Sequence, residues 1–334
     1  MTELLALPAL IGESPAIQQA RDLLERFAPT SIPIVLVGAT GTGKDLLARY
    51  IHAQSGRTGP FLPVNCSALP REMAESLLFG HRRGAFSGAI ESRRGYLEVA
   101  HGGTLFLDEL TCLGLEGQAK LLRALDTGEV HPLGEEGARA LDVRAVAAVQ
   151  ETLPKALVSG GLRPDLYQRL AGVVISLPPL AERAQDILLL ARHFAGCQRR
   201  ILEPGAERLL MMYEWPGNVR ELRHVMERAG RLVANGSLPA AAVAEAIHLG
   251  ALVPQDSDDD RGGPSERARL LLECERCGWN ADRVARALGV HRATLFRKLK
   301  RAGLSLRRAQ KSQSRKESRD GGQLCDSCRG PSAV

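Results

Sequence analysis

Apolar residues between position 10 and about position 178 alternate between short continuous runs and runs with helical spacing. The continuous runs, which predict buried strands, are Ile34–Val37, Thr104–Leu107 and Val143–Val149. Helical spacing is found at Lys44–Ala53, Glu72–Phe79 and Gln118–Leu125. Buried strands that alternate with helices predict an α/β fold, in which a parallel sheet carries helices on both faces. Residues 1–178 are therefore predicted to form an α/β subdomain.

The pattern changes after residue 178. Residues 179–248 show helical spacing only, broken at Pro216-Gly217 and around Asn235-Gly236, which predicts a smaller helical lid subdomain. The acidic, Pro- and Gly-containing run Pro254–Pro264 predicts a linker over residues 249–264. Helical spacing returns in 265–305, and the polar, basic residues 306–334 predict a disordered tail.

Charge is distributed unevenly along the 334 residues. The net charge is +6, but residues 265–334 carry 17 Lys/Arg and 7 Asp/Glu, so the remaining residues carry a net charge of −4. A basic end on a nearly neutral body favours contact with a polyanion such as nucleic acid, and a solubilising tail is the alternative. There is no signal peptide and no apolar run of about 18 residues, which predicts a cytoplasmic protein without membrane contact.

The seven cysteines are scattered and odd in number, as is typical of a reducing compartment. Cys66, Cys112 and Cys197 are expected to be buried small residues. Two pairs, Cys274-x-x-Cys277 and Cys325-x-x-Cys328, contain four thiols, but the 47 residues between the pairs do not fit the usual zinc spacing. We expect core packing for the first pair, disorder for the second, and no metal.

A glycine-rich run follows the first predicted strand and opens a predicted helix. It fits the pattern G-x-x-x-x-G-K and comprises Gly38, Ala39, Thr40, Gly41, Thr42, Gly43, Lys44 and the following Asp45. In such a loop, backbone N–H groups surround phosphate oxygens and the lysine reaches the β- and γ-phosphates. A turn without a ligand and a dinucleotide-binding turn are the alternatives, and Lys44 argues against both.

The strand Thr104–Leu107 ends in two acids, Asp108 and Glu109, about 60 residues after this loop. The first acid of such a pair can hold Mg²⁺, and the second can polarise a water molecule for attack on the γ-phosphate. A solvated acidic turn is the alternative for the pair by itself. Together with the loop, the pair predicts ATP hydrolysis with Mg²⁺.

Two further runs are distinctive: Glu75–His81 and, shortly after it, the hexapeptide Gly84, Ala85, Phe86, Ser87, Gly88 and Ala89. With these runs, residues 10–305 resemble the bacterial enhancer-binding proteins, which are AAA+ ATPases that activate sigma-54 RNA polymerase. The hexapeptide is similar to that family's GAFTGA loop, which contacts sigma-54. The resemblance also accounts for Asp45, because these activators usually carry a carboxylate after the loop lysine.

The resemblance implies further roles for individual residues. It implies a homo-oligomeric ring, usually a hexamer, with ATP bound between subunits. It also implies that Arg163 and Arg169 are paired arginine fingers; without the resemblance, the two residues would be interpreted as surface arginines. Arg220, within Trp215–Leu222, matches the second sensor of nucleotide. The remaining assignments are the first-sensor position Gln150, the glutamate-orienting Asn65 and the adenine-proximal segment Ile11–Ser14.

Three departures from the family pattern concern coupling rather than hydrolysis. Ser87 replaces the usual threonine, Arg82 stands where glutamate is usual, and Val149-Gln150 replaces Thr-Asn in the first sensor. The alternative function is therefore a DNA-binding regulator that keeps the AAA+ fold without remodelling sigma-54 polymerase. An ATPase acting on another macromolecule is a second alternative, against which the hexapeptide argues. The short segment before residue 10 resembles the subgroup without an N-terminal regulatory domain, which implies control by a partner protein in trans or by expression level.

Residues 280–299 have the pattern of two helices joined at Gly289. Val284, Ala285 and Leu288 form one apolar face, and Leu295 and Leu299 anchor the second helix. That arrangement leaves four residues for DNA, namely Arg292, Thr294, Arg297 and Lys298. A charged hairpin packed on the ATPase domain is the alternative, whereas resemblance to the Fis-type helix-turn-helix implies binding to upstream activator DNA.

Overall fold

The computed structural model describes residues 10–150, 157–158, 160–234, 236–250, 270, 273–274, 276–278 and 280–301. The chain forms two compact units. The first comprises residues up to Asp186 together with Gly217–Arg220, and the second comprises Ile187–Pro216 and the residues from Glu221 onward. The predicted tail, the predicted linker beyond Gly250, and Cys325 and Cys328 lie outside the described residues.

Among the described residues, the first unit contains nine strands and six α-helices. The strands are β1 Ile34–Val37, β2 Phe61–Asn65, β3 Gly80–His81, β4 Arg93–Arg94, β5 Thr104–Asp108, β6 Glu129–Val130, β7 Arg139–Ala140, β8 Arg144–Val149 and β9 Val173–Ser176. The helices are α1 Pro15–Phe27, α2 Lys44–Gln54, α3 Ala74–Phe79, α4 Tyr96–Val99, α5 Leu115–Thr127 and α6 Pro164–Leu170.

The central sheet has five strands in the order β2-β5-β8-β1-β9, and every neighbouring pair is parallel. Successive side chains of β5 belong to opposite faces: Leu105 and Leu107 pack in one buried cluster with Leu121 of α5, whereas Phe106 packs in the other with Leu47 of α2. Both faces of the sheet are therefore covered by helices, which confirms the predicted α/β class.

Two strands of this sheet were not predicted from the sequence, β2 and β9. Each is an edge strand of the sheet. Pro63 interrupts the apolar pattern of β2, and a proline is tolerated there because an edge strand has one side without a ladder partner. The three strands that were predicted, β1, β5 and β8, are the central ones, where burial on both faces produces a continuous apolar run.

The second unit is mainly helical. Its described helices are α7 Ala184–Cys197, α8 Pro204–Met212, α9 Asn218–Leu232, α10 Ala240–His248, α11 Ala281–Ala287 and α12 Arg292–Arg301, of which α7 and α9 begin in the first unit. The expectation of helix only in residues 179–248 was wrong, because β10 Ile201–Leu202 and β11 Ser237–Leu238 form a parallel pair. Two-residue strands are too short to produce a recognisable alternation of apolar and polar residues.

The cysteine expectations were partly wrong. Cys66 and Cys274 are buried, but Cys112 and Cys197 are exposed. Burial raises the pKa of the Cys66 thiol to about 12, so this thiol is chemically inert. Among the residues that the structure describes, no helix has the length and apolar character needed to cross a membrane.

Candidate nucleotide site and interaction surfaces

The loop between β1 and α2 has the backbone geometry of a phosphate cradle. Gly43 caps the N-terminus of α2 with φ 110°, and Gly41 has φ 79°, both in the left-handed region that glycine tolerates. A Cβ atom on Gly38 would lie 2.6 Å from the carbonyl oxygen of Leu177. Glycine is therefore required at these positions, and the loop leads into a helix N-terminus, where backbone N–H groups favour an anion.

Lys44, in the first turn of α2, is held inside this loop. Its Nζ donates to the carbonyl oxygens of Gly38 at 2.7 Å and Ala39 at 3.1 Å, and the residue is 7% exposed. Burial lowers the pKa of Lys44, and the charges of Asp108 and Glu109 act in the opposite direction. The ammonium group and the two acids are thus close enough to interact, as a shared phosphate site requires.

The predicted acid pair lies at the carboxyl end of β5, beside the end of β8. Glu109 has φ 54°, and its N–H donates to Asp108 Oδ1 at 3.0 Å. The Gln150 amide, just after β8, donates to Glu109 Oε1. Carboxyl ends of parallel strands share one edge of a sheet, which is how residues 41 positions apart come together. Sequence reasoning had assigned Gln150 only to nucleotide sensing.

Asn65 is the register partner of Asp108 on the neighbouring strand. Its Oδ1 accepts hydrogen bonds from the N–H of Ser67 at 2.9 Å and from the Ser67 hydroxyl at 2.7 Å. Glu109 accepts its side-chain hydrogen bond from Gln150 instead, so orientation of Glu109 by Asn65 stays a prediction.

The carboxylate of Asp108 suits a magnesium ion, whereas the carboxylate of Asp45 pairs with Arg49 at 3.2 Å. Burial, and to a smaller extent the negative charges of Glu109 and Asp45, raise the pKa of Asp108, and a cation beside these groups would relieve that cost. Among the described residues, no three His, Cys, Asp or Glu side chains are arranged to hold a metal by themselves. Mg²⁺ is suited to such a site, because it commonly uses one or two carboxylates, with phosphates and water completing its shell.

The two predicted finger arginines lie at opposite ends of α6. Arg163 precedes the helix and pairs with Asp165 at 2.7 Å, and Arg169 in the last turn pairs with Asp126 at 2.7 Å. Their side chains are 38% and 44% exposed. Both are therefore surface guanidinium groups, within reach of a second molecule.

Three residues contact the phosphate loop from the segments where the chain passes between the units. The backbone N–H of Arg220 donates to the Gly41 carbonyl at 3.2 Å, and its charge contributes to the lowered pKa of Lys44. Arg183 and Asn218 donate to loop carbonyls as well. Sequence reasoning assigned a role to Arg220 but none to Asn218, two residues earlier in the same motif, or to Arg183, which lies outside any recognised motif.

The hexapeptide Gly84–Ala89 forms a turn carried by the antiparallel pair of β3 and β4. The N–H of Gly84 donates to the Ala89 carbonyl at 2.8 Å, which closes the loop. Phe86 is 43% exposed, and its ring lies edge-on to His81 at 5.1 Å between centroids. The loop thus presents an aromatic side chain to solvent on a defined backbone.

Arg82, at the base of this loop, belongs to a chain of ion pairs. It contacts Glu135 at 2.6 Å, and Glu135 contacts Arg139 at 2.7 Å; Arg139 in turn pairs with Glu98. Side-chain hydrogen bonds from Arg82, and from Arg139 to a smaller extent, lower the pKa of Glu135. The arginine that departs from the family pattern thus ties the loop to the segment between β6 and β7.

The C-terminal helices have the predicted form. Asn280 caps α11 by accepting from the N–H groups of Asp282 and Arg283, and Gly289 turns the chain with φ 64°. Val284, Ala285, Leu295 and Leu299 are buried, whereas Leu288 is only partly buried. Of the four predicted DNA contacts, Arg292 and Arg297 are exposed, and Thr294 and Lys298 are half-buried.

Three family models match the chain. The sigma-54 interaction domain matches residues 10–176, the AAA+ ATPase lid domain matches 181–258, and the Fis family of bacterial regulatory proteins matches 266–301. These matches cover the nucleotide site, the helical residues and the paired C-terminal helices in turn.

Curated relatives are transcription regulators. The chain is 41% identical to the nitric oxide reductase transcription regulator NorR2 of Cupriavidus necator, with 88% of this chain and 63% of that protein aligned. It is also 41% identical to the C4-dicarboxylate transport transcriptional regulatory protein DctD of Pseudomonas aeruginosa, with 88% and 64% aligned. The chain thus spans less than two thirds of the length of these relatives.

Among solved structures, NtrX from Brucella abortus in complex with ATP has a TM-score of 0.64 and 35% identity over 89% of this chain and 70% of that chain. The RuvB P216G mutant of Thermotoga maritima, at 17% identity over 89% of this chain and 90% of that chain and a TM-score of 0.52, shares the fold alone. From its phosphate loop, acid pair, hexapeptide loop and family matches, the chain belongs to the AAA+ sigma-54 interaction family, with an AAA+ lid and a Fis-type helix-turn-helix.

Proposed function

We propose that the protein is a cytoplasmic transcription activator that hydrolyses ATP to remodel sigma-54 RNA polymerase holoenzyme while bound to upstream activator DNA. The observation that carries this proposal is that one compact unit holds both the phosphate loop with its acid pair and an exposed aromatic loop of the sigma-54-contacting type. The relatives named above, which are transcription regulators, support it.

Each hydrolytic group has a distinct part in this chemistry. The loop N–H groups and Lys44 bind the phosphates, and Asp108 would hold Mg²⁺, which would neutralise phosphate charge when bound. Glu109 accepts a hydrogen bond from Gln150, which orients its carboxylate, and polarises the attacking water. Arg163 and Arg169 of a neighbouring subunit stabilise the charge that builds on the γ-phosphoryl group, which requires a homo-oligomeric ring, a hexamer by the resemblance.

Replacing Lys44 with alanine is expected to lower ATP hydrolysis by at least about 100-fold, because the substitution removes the buried cation from the phosphate site. ATP turnover and promoter opening should fall together. The affinity for DNA, measured by gel shift, should stay unchanged. Arg26→Ala, which removes an exposed arginine on α1, is the matched control and should leave turnover unchanged. Promoter opening that survives Lys44→Ala would show that nucleotide binding at this loop is not needed for activation.

Replacing Phe86 with alanine is expected to weaken binding to sigma-54 by about 30-fold, because a central aromatic residue of an interface contributes about 2 kcal/mol. ATP turnover should stay within about threefold of the wild-type rate, since Phe86 is not among the hydrolytic groups. Leu232→Ala is the control, because Leu232 is 42% exposed, as Phe86 is. If Phe86→Ala binds sigma-54 as tightly as the wild type does, another surface of the protein makes the contact.

Replacing Arg297 with alanine is expected to weaken binding to the specific DNA site by about 1–3 kcal/mol, because an exposed arginine on the second helix reads a base edge. Competition gel shifts against non-specific DNA would measure this loss. The control, Arg276→Ala, removes an exposed arginine outside α12. An equal loss of affinity for specific and non-specific DNA would instead indicate that Arg297 contacts the phosphate backbone.

The second candidate function is a DNA-binding regulator that does not remodel sigma-54 polymerase and responds to a regulatory protein in trans. Arg82 favours it, because the ion pairs with Glu135 hold the base of the hexapeptide loop. Promoter opening distinguishes the two candidates, since this second function predicts DNA binding and ATP turnover without open-complex formation.

A further inference from the structure

Three consecutive carbonyl groups of the phosphate loop are each held by a hydrogen bond from outside the loop. Thr40 O accepts from Asn218 Nδ2 at 2.9 Å, Gly41 O accepts from the N–H of Arg220 at 3.2 Å, and Thr42 O accepts from Arg183 Nη2 at 3.2 Å. All three donors belong to the first unit, in the two segments through which its chain connects to the second.

Asn218 is the side chain that joins these two segments. Its Oδ1 accepts from the N–H of Leu180 at 2.8 Å, three residues before Arg183, while its Nδ2 reaches the loop. The residue is 3% exposed and has φ 54°, a left-handed conformation that asparagine adopts more readily than most residues. Next to it, a Cβ atom on Gly41 would lie 2.4 Å from the carbonyl oxygen of Gly217, so the loop and this segment are in close contact.

The direction of a carbonyl group fixes the direction of the next N–H. A peptide unit is planar and trans, so its C=O and N–H point in opposite directions. A carbonyl of Thr40 held toward Asn218 therefore turns the N–H of Gly41 away from Asn218, and a carbonyl of Thr42 held toward Arg183 does the same for the N–H of Gly43. A cradle whose N–H groups are aimed in advance binds phosphate without the cost of ordering them.

We propose that Asn218 is a positioning residue for the phosphate loop, whose amide aims the loop N–H groups at the polyphosphate of the nucleotide. This role differs from that of Arg220, which the family resemblance assigns to direct sensing of nucleotide. The proposal rests on the proposed function only in that a nucleotide binds at residues 38–45.

The test uses two substitutions in the full chain that keep the left-handed backbone. Asn218→Gly removes the side chain at a φ that glycine tolerates, and Asn218→Asp retains an acceptor for the N–H of Leu180 but has no donor for Thr40 O. ADP affinity is measured by calorimetric titration, and the KM for ATP and kcat are measured by steady-state turnover. Asn280→Asp, in the cap of α11, is the matched control for the added charge.

We expect both variants to weaken ADP binding and raise the KM for ATP by about tenfold, the effect of one lost hydrogen bond of about 1.4 kcal/mol, with kcat at saturating ATP within about threefold. Loss of kcat at unchanged KM would indicate a structural role and overturn the proposal. Wild-type ADP affinity in Asn218→Asp would also overturn it, because the anchor at Leu180 would then suffice. If the wild-type protein itself binds no ADP, the proposed function is wrong. That outcome is distinct from failure of the Asn218 proposal, in which the wild type binds ADP and the variants bind it equally well.

Discussion

Glu109→Gln is expected to reduce ATP hydrolysis by about 10²–10⁴-fold while ATP binding stays within about twofold of wild type. The amide keeps the size of the carboxylate but cannot accept a proton from the attacking water, and general-base catalysis contributes a factor of this order. The binding groups, Lys44 and the glycine loop, are unchanged. Single-turnover hydrolysis and nucleotide titration on the same preparation measure the two effects separately.

The matched control is Glu116→Gln, which makes the same change at an exposed position in the first turn of α5. Its turnover should equal that of the wild type. If Glu109→Gln hydrolyses ATP at a rate within tenfold of the wild-type rate, another group activates the water, and the acid pair would be confined to metal binding and structure.

Arg163→Ala is expected to lower hydrolysis by about 10³-fold, the effect of removing an arginine finger. In a single chain this arginine is a surface residue, paired with Asp165 and 38% exposed, so its loss should leave the fold and the binding of ADP intact. A defect of this size therefore requires a neighbouring subunit. Arg123→Ala, an exposed arginine on α5, is the control and should remain active.

Mixing two inactive variants tests whether the site is shared between subunits. Arg163→Ala keeps Lys44, and Lys44→Ala keeps Arg163, so one orientation of neighbours in a mixed ring restores a complete site. Random mixing at equal amounts gives such neighbours at roughly a quarter of the interfaces, and turnover should recover in proportion. Mixtures that stay inactive, although size-exclusion chromatography shows mixed rings, would place Arg163 outside the site.

Much of the fold follows from local sequence pattern. The central strands β1, β5 and β8 are continuous apolar runs because both of their faces are buried, and α2 and α5 show helical spacing because only one face of each is buried. Pro63 interrupts the run in β2, β9 contains only the three apolar residues Val173–Ile175, and β10 and β11 have two residues each. Such short or interrupted runs do not distinguish a strand from a loop without the strands beside them.

The candidate site likewise has features that a local motif predicts and features that it does not. The phosphate loop and the acid pair are contiguous motifs whose chemistry is visible in the residues themselves, so they could be predicted. The hydrogen bond from Gln150 to Glu109 and the bond from Asn218 to Thr40 depend on which strands and turns lie next to each other in space. The latter joins residues 178 positions apart, a distance over which no sequence periodicity extends.

Under the proposed function, ATP hydrolysis at the loop after β1 drives sigma-54 polymerase through the turn that carries Phe86. The most direct test is open-complex formation at a sigma-54 promoter by the purified protein and holoenzyme, followed with a single-strand-specific probe. We expect promoter melting with ATP, and none with a non-hydrolysable analogue or with Phe86→Ala plus ATP. Melting that proceeds equally with the non-hydrolysable analogue, or no melting with ATP while the protein hydrolyses it on bound promoter DNA, would contradict the proposed function.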